Sequence, residues 1–283
     1  MVNKGWGLSL RSSVLRSPST THDLPSTVSL HRTVSADFFG GPANQPRKRT
    51  ETHNPQPQTR NRSAVHVRSF TLGPFSTNGY VAASGGVAAI IDAPSSTAEE
   101  HRAVIDYVEE RGLDVRHLLL THAHVDHILG CAALAEHFGL PGWRLHSADR
   151  AFAERAREQA LAFGVSLDGV PPLGEALEAG DEIALGDDAR LAVRPTPGHS
   201  PGSVSFLERS AGAMFSGDVL FRGSIGRIRG LPQTSRPQLM QSIEEELLVL
   251  DDETTIYPGH GEVTTVGRER ASNPFLNGES APG

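Results

Sequence analysis

Potential metal ligands are concentrated in one heptapeptide, residues 121–127, whose sequence is THAHVDH. Three of its residues are imidazoles and one is a carboxylate, and an apolar run precedes them. In a loop at the end of a strand, the alternate side chains His122 and His124 can converge on one ion, and Asp126 and His127 then turn towards a neighbouring point. Imidazole and carboxylate ligands suit zinc, and also manganese or iron. The heptapeptide therefore predicts a metal site.

Three later stretches supply further ligands, each where a predicted strand meets a tight turn. The sequence TPGHSPG presents His199, FSGD presents Asp218 and YPGHG presents His260. A single Pro-Gly-His turn is usually only a turn. Because ligands in α/β proteins gather at the ends of strands, however, the four stretches together predict one shared site.

These motifs, in this order, resemble the metallo-β-lactamase superfamily and, more narrowly, its short glyoxalase II-like (hydroxyacylglutathione hydrolase-like) group. The resemblance extends from about residue 65 to residue 277 and rests on the sequences THAHVDH, TPGHSPGS, FSGDVLFRGSIGR, YPGHG and TTVGRERASNPFL. It implies an α/β fold, the four-layer αββα metallo-β-lactamase sandwich, in residues 63–283.

The same resemblance implies a binuclear centre with two divalent metal ions per chain, zinc being expected and iron or manganese being alternatives. Its seven ligands form two groups and a bridge: His122, His124 and His199 for one ion, Asp126, His127 and His260 for the other, and Asp218 between them. Two divalent ions about 3.5–4 Å apart can share a hydroxide that attacks a carbonyl carbon. Asp126 would also orient this nucleophile, as a catalytic residue. The implied reaction is hydrolysis of a thioester, S-lactoylglutathione or a related acyl thioester, to an acid and a thiol.

Alternatives within the superfamily differ at two motifs. Its β-lactamases commonly carry Cys or Ser where this chain has Asp218, which disfavours β-lactam hydrolysis. Persulfide dioxygenases use a single iron and usually read YPAHDY, whereas this chain reads YPGHG. A persulfide dioxygenase-like enzyme and a lactone or ester hydrolase are the alternative activities. A degenerate, non-enzymatic binding module is disfavoured because all seven ligands are present.

Substrate binding is predicted at Arg227 and Arg229, which resemble by position a Lys and a Tyr of glyoxalase II. Arg227 could bind a glutathione carboxylate bidentately, or it could instead tie down its own loop. Short members commonly read GRTD where this chain reads GRIR. Longer members carry a C-terminal helical domain with further glutathione contacts, and this chain ends soon after residues 273–276. The resemblance therefore leaves the thiol carrier open.

The charge of the chain is divided unevenly. Residues 1–62 hold nine Lys and Arg against three Asp and Glu, whereas the remainder holds 17 against 30 and contains no lysine. The first segment is rich in Ser, Thr, Pro, Arg and Asn, and we expect it to be disordered because it cannot bury enough apolar surface. A transit peptide, a basic tail and an over-long gene start are all consistent with its composition.

The acidic remainder disfavours nucleic acid as a partner, since it repels phosphate. The chain has no apolar run long enough to span a bilayer, so no membrane partner is expected. Its one cysteine, Cys131, excludes an intramolecular disulfide framework and fits a reducing compartment. We therefore expect a cytoplasmic enzyme of a small-molecule substrate, with organellar targeting and the oligomeric state left open.

The elements that must position the ligands alternate between strands and helices. Turn signals are expected at Asn78-Gly79 and Gly85-Gly86, and Thr97 is expected to cap the first helix. Strands are predicted over 65–72, 80–83, 87–91, 115–120, 144–146, 182–185, 191–194, 204–207, 213–216 and 254–257. Helices are predicted over 98–111, 128–138, 151–163 and 238–250. The predicted elements fall into two similar halves, each with strands first and helices after them. This order favours two sheets faced by helices.

Overall fold

A computed structural model describes residues 65–278, so the predicted disorder of residues 1–62 lies outside the described residues. The strands within this range are β1 His66–Leu72, β2 Thr77–Ser84, β3 Val87–Ile91, β4 Asp114–Leu119, β5 Glu182–Leu185, β6 Ala189–Pro195, β7 Val204–Glu208, β8 Ala213–Gly217, β9 Leu220–Phe221, β10 Ser224–Ile225, β11 Thr255–Pro258 and β12 Thr264–Thr265. The α-helices are α1 Ala98–Glu110, α2 Val125–Ile128, α3 Cys131–Phe138, α4 Arg150–Glu154, α5 Ala156–Phe163, α6 Arg236–Ser242 and α7 Val266–Ser272.

Two sheets carry the fold. The first has the strand order β1-β2-β3-β4, with a parallel pairing only between β3 and β4. The second has the order β12-β11-β8-β7-β6-β5, with a parallel pairing only between β8 and β11. The two parallel pairings matter for the site, because β4, β8 and β11 each end within three residues of a predicted ligand.

The central strands of each sheet are buried on both faces, which produces four layers. On β3, Ala89 and Ile91 pack between the sheets, whereas Ala88 and Ile90 pack on the outer side with α1 and α3. In the second sheet, Phe215 of β8 faces the inner core, and its neighbour Met214 packs outside with α6. Alternate side chains of a strand point to opposite faces, so one strand contributes side chains to two hydrophobic cores. The predicted four-layer αββα sandwich is confirmed.

Two helices that the sequence predicts as continuous are each broken in two. The helix expected over 128–138 begins at Val125, stops after Ile128 and restarts at Cys131, where Gly130 N–H donates to Ala93 O instead. The helix expected over 151–163 is interrupted at Arg155. At the second interruption, Gln159 Nε2 donates to Phe152 O, and such side-chain contacts are not contained in a helical periodicity.

Other predicted elements need smaller corrections. Asn78-Gly79 is not a turn but lies inside β2, and the chain turns earlier, at residues 73–76. Residues 144–146 make only isolated bridges rather than a strand. The helix predicted over 238–250 is α6 followed by a π-helical turn, Ile243–Leu247. The short elements β9, β10, β12 and α7 are absent from the sequence-based prediction.

No helix within residues 65–278 combines the length and the apolarity that crossing a lipid bilayer requires. The predicted cytoplasmic location is not tested by this observation and stays a prediction.

Candidate metal centre

All seven predicted ligands converge at one end of the sandwich. Their donor atoms form three overlapping groups in which all atoms lie within 4.8 Å of one another: His122, His124 and His199; His122, His127 and Asp218; and Asp126, His127 and His260. The first and third groups are the two ligand sets that the resemblance implies. Because the groups share members, the seven side chains form one continuous centre.

Asp92, at the end of β3, fixes the start of the THAHVDH segment. Its carboxylate accepts hydrogen bonds from Thr121 N at 2.8 Å and from Thr121 Oγ1 at 2.8 Å. It also accepts from His127 Nδ1 at 2.9 Å, which leaves His127 Nε2 directed at the centre. A carboxylate that orients a ligating imidazole through its other nitrogen is a common feature of metal sites.

His199 is oriented in the same way, but by a backbone group. Its Nδ1 donates to the carbonyl oxygen of Arg227 at 2.8 Å, so Nε2 faces the other ligands. This Nε2 lies 2.8 Å from His124 Nδ1, and both nitrogens therefore point at the same position. The turn after β10 thus contributes to the centre through its main chain.

His260 follows β11 and is positioned by residues of β2. Asn78 Nδ2 donates to Pro258 O at 3.0 Å and to Gly261 O at 2.9 Å, on either side of the histidine. Tyr80 Oη also donates to Pro258 O, at 2.6 Å. Asn78, whose predicted role was limited to its own turn, therefore holds a ligand loop from the opposite sheet.

Asp218 lies between the two ligand sets. Its Oδ1 is 3.4 Å from His127 Nε2, whereas its Oδ2 is 3.5 Å from His199 Nε2 and 3.6 Å from His260 Nε2. Gly259 makes this placement possible, since a Cβ there would lie 2.2 Å from Asp218 Oδ1. One carboxylate thus faces imidazoles of both sets, and its Oδ2 alone lies near a member of each.

The unpaired polar atoms of the centre fit metal ions. Among the described residues, four buried atoms of the centre lack a hydrogen-bond partner: His122 Nε2, His124 Nε2, His127 Nε2 and Asp218 Oδ1. Buried polar atoms in native proteins nearly always have a partner. All four side chains belong to the ligand groups. The donor set of imidazoles and carboxylates is one that divalent cations accept.

The pKa shifts have two opposing causes. Burial, followed by the neighbouring imidazoles, lowers the pKa of His122 well below its usual value, and burial together with His199 lowers the pKa of His124 to about 3. Burial would raise the pKa of Asp126 and Asp218, but the surrounding imidazoles, His127 foremost, and the hydrogen bonds to the carboxylates together outweigh it and lower both. Neutral imidazoles and ionised carboxylates are the states that metal ligands need.

The pKa of His127 moves in the opposite direction. Burial lowers it, but the carboxylates of Asp126, Asp92 and Asp218 outweigh this effect and raise it well above the usual value. Three carboxylates in a buried site therefore favour positive charge at this position, whether it is a proton or a metal ion.

A cavity of about 700 Å³ opens onto the centre. Its base contains His124, Asp126, His199, Asp218 and His260. Its walls are largely apolar and are formed by Phe75, Val125, Phe152, Ala162, Phe163, Phe221, Leu231 and Pro232. A cavity of this volume with a polar base is typical of a small-molecule site.

The two predicted substrate-binding arginines occupy different positions. Arg227 lines the cavity, as a substrate contact would. Its Nε also donates to Arg229 O at 2.9 Å, as a residue that ties down its own loop would. Arg229 is exposed and does not line the cavity. Arg155, which the sequence did not indicate, lines the cavity at the interruption between α4 and α5.

Three other residues with a role at the centre were missed. Thr77 Oγ1 donates to Asp126 Oδ2 at 2.9 Å. Gln159 donates to Ala123 O at 3.0 Å and accepts from Val125 N at 3.1 Å, so it holds the THAHVDH segment against α5. Asp149 also contacts this segment. Their side chains are of common types in positions without a motif, so no sequence signal marked them.

Comparison with known proteins agrees with this geometry. A sequence profile of the Metallo-beta-lactamase superfamily matches residues 72–260. Hydroxyacylglutathione hydrolase GloC of Haemophilus influenzae is 40% identical over 194 residues, which are 68% of this chain and 89% of that protein.

Two solved structures are similar over most of their length. The B3 metallo-beta-lactamase BLEG-1 is 34% identical with a TM-score of 0.67, over 75% of this chain and 99% of that one. The protein TTHA1623, solved in a di-iron-bound form, is 38% identical with a TM-score of 0.66, over 74% of this chain and 100% of that one.

Proposed function

The chain belongs to the metallo-beta-lactamase superfamily, and from this we propose that it is a glyoxalase II-like hydrolase that cleaves an acyl thioester into an acid and a thiol. The observation that carries the proposal is the position of Asp218, whose carboxylate lies within 3.6 Å of His199 in one ligand set and of His127 and His260 in the other. Such a carboxylate suits a binuclear centre, for which we propose two divalent ions, zinc being the first candidate. The similarity to a hydroxyacylglutathione hydrolase supports the thioester as substrate.

Divalent ions held by the seven ligands would lower the pKa of a water nucleophile and polarise the carbonyl group under attack. The protein's own contribution is to position groups. Asp126 Oδ2 accepts from Thr77 Oγ1 at 2.9 Å and from His260 Nε2 at 3.1 Å, so its carboxylate is fixed at the base of the cavity. An ionised carboxylate there can accept a hydrogen bond from the nucleophile and orient it. A thiolate leaves readily, so the site needs no strong general acid.

We propose that Arg227 binds a carboxylate of the thiol carrier. Arg227 lines the cavity, and its Nε donates to a backbone carbonyl oxygen, that of Arg229, rather than to a carboxylate. Arg155 lines the cavity as well and would add a second positive charge for the same anion. The apolar walls would pack against the remainder of the substrate. Arg229 lies outside the cavity lining, and this placement gives its predicted role no support.

One other activity and one other metal have a specific observation in their favour. One similar structure is a B3 metallo-beta-lactamase, which keeps β-lactams among the substrates to be tested. Another bound two iron ions, so iron is a second candidate metal. A single iron with persulfide dioxygenase-like activity is the alternative for the same fold, and lactone hydrolysis is a further one.

The decisive experiment combines metal analysis with a panel of substrates. The purified protein is assayed with S-lactoylglutathione, glutathione persulfide, a lactone and a β-lactam, and its metal content is measured by mass spectrometry. Two metal ions per chain and thioester turnover above all other activities are expected. One iron per chain with oxygen consumption on the persulfide would overturn the proposal, and so would a preference for the β-lactam or the lactone.

Arg227→Gln tests the substrate contact. A charge-assisted hydrogen bond contributes about 1.5–3 kcal/mol, so KM for S-lactoylglutathione should rise about 10- to 100-fold with kcat nearly unchanged. Arg229→Gln is the matched control, because it removes the same charge outside the cavity. An equal KM for both variants would mean that Arg227 serves its own loop.

A further inference from the structure

One buried carboxylate joins two ligand loops without being a ligand. Asp149 is fully buried and ends the 3-10 turn Ser147–Asp149 that leads into α4. Its Oδ2 accepts from Ala123 N at 3.0 Å and from Ser200 Oγ at 2.7 Å, and its Oδ1 accepts from Gly202 N at 2.6 Å. It therefore contacts two segments that are more than seventy residues apart in the chain.

The contacted residues sit directly beside ligands. Ala123 separates His122 from His124, and Ser200 follows His199. These three histidines form one of the two ligand sets. Asp149 is thus placed to set the distance between the two parts of this set, and it has no contact with Asp126, His127 or His260 among its hydrogen bonds.

The fit around Asp149 is tight. A Cβ on Gly202 would lie 2.6 Å from Asp149 N and 2.8 Å from its Oδ1, so the second loop approaches as closely as a glycine permits. Burial of this carboxylate disfavours its charged form and raises its pKa above the usual value, despite three hydrogen bonds. Stability alone therefore does not explain its presence. A charged group in such a place has a cost that a positioning role explains.

From this we propose that Asp149 is a positioning residue that holds the His122, His124 and His199 set in register and so controls the retention of one of the two metal ions. The proposal rests on the metal centre described under the proposed function. Residues that orient the ligands of a metal typically change its affinity about 10- to 100-fold when they are replaced.

Asp149→Asn is the sharpest test, because an amide has only one acceptor oxygen. That oxygen can face either Gly202 N or the pair Ala123 N and Ser200 Oγ, while the amide nitrogen meets the donors on the other side. In the first orientation the bond to Ala123 N is lost, and in the second the bond to Gly202 N is lost, so either orientation weakens the connection between the two loops. The holoenzyme is dialysed against increasing chelator concentrations, and the metal remaining per chain is measured. One ion should leave at about 10- to 100-fold lower chelator concentration than in the wild type, and the other at an unchanged concentration.

Two further variants separate positioning from general stability. Glu269 is the matched control: it is equally buried and accepts from Gly223 N at 2.8 Å and from Asn273 Nδ2 at 2.8 Å, but it touches no ligand loop. Glu269→Gln should lower the thermal stability and leave metal retention as in the wild type. Ser200→Ala removes the hydrogen bond to Asp149, together with one to Ser203 Oγ, and creates no unpaired amide. It serves if Asp149→Asn does not fold, with a smaller shift for the same single ion.

Loss of both ions in parallel from Asp149→Asn, or unchanged retention in both Asp149→Asn and Ser200→Ala, would overturn the proposal. A wild-type protein that holds a single ion would refute the binuclear centre instead. The role of Asp149 would then be judged on whether its variants release that one ion more readily than Glu269→Gln does.

Discussion

Asn78 should contribute more to the free energy of unfolding than a turn residue does, because its side chain joins the two sheets beside His260. The side chain is buried and makes three hydrogen bonds: Nδ2 donates to Pro258 O and Gly261 O, and Oδ1 accepts from Thr71 Oγ1 at 2.7 Å. At about 1 kcal/mol for each bond, Asn78→Ala should lower the free energy of unfolding by about 3 kcal/mol. For a domain of this size that corresponds to a melting temperature lower by about 6–12 °C.

The assay is urea unfolding at a fixed free metal concentration, since bound metal adds to the apparent stability. Thr71→Val is the matched control: it removes only the bond to Asn78 Oδ1 and should cost about 1 kcal/mol or less. Asn78→Ala should also release metal at lower chelator concentrations, because the His260 loop loses both of its side-chain donors from Asn78. A loss of stability no larger than that of Thr71→Val would refute the reasoning.

Two further predictions concern the bridge and the pH dependence. Asp218→Ala should lose metal and thioester hydrolysis together, and full activity in that variant would contradict the bridging role. For His117, burial lowers the pKa from 6.5, aided by Arg144 and Arg116 and opposed by the bond to Ala184 O. As the pH falls through about 6.5 the unfolded chain takes up this proton first, so the folded state loses stability. His117→Gln, followed by urea unfolding between pH 7 and pH 5.5, should show a shallower loss than the wild type, and identical slopes would contradict the assignment.

Most of the strands could be predicted from the sequence because each has a local cause. β3 is a short apolar run bounded by Gly86 and Asp92, and α1 begins where Thr97 Oγ1 accepts from Glu100 N. Such signals need no knowledge of the remaining chain. The interruption of the helix at Arg155 is different. There Gln159 Nε2 donates to Phe152 O at 2.9 Å and also to Ala123 O, so a contact with a distant loop competes with helical pairing.

The seven ligands were predicted from four short motifs, and the structure brings all of them together. Their support was not predicted, because hydrogen bonds such as those of Asp149 and Asn78 have no fixed spacing in the chain. Asn78 shows the difficulty: Asn-Gly commonly marks a turn, yet here both residues belong to a strand whose pairing places the amide beside Pro258.

The sequence by itself therefore determined the chemistry of this protein: which side chains can bind metal, and that each follows a strand. Only the tertiary structure decided how these side chains are held and what surrounds them. The two sheets place β4, β8 and β11 so that their ligand loops meet, and Asp92, Asn78 and Asp149 then fix those loops across distances in sequence that no motif spans. The physical reason is that a ligand's identity is a property of one residue, whereas its orientation depends on hydrogen-bond partners that only folding brings near.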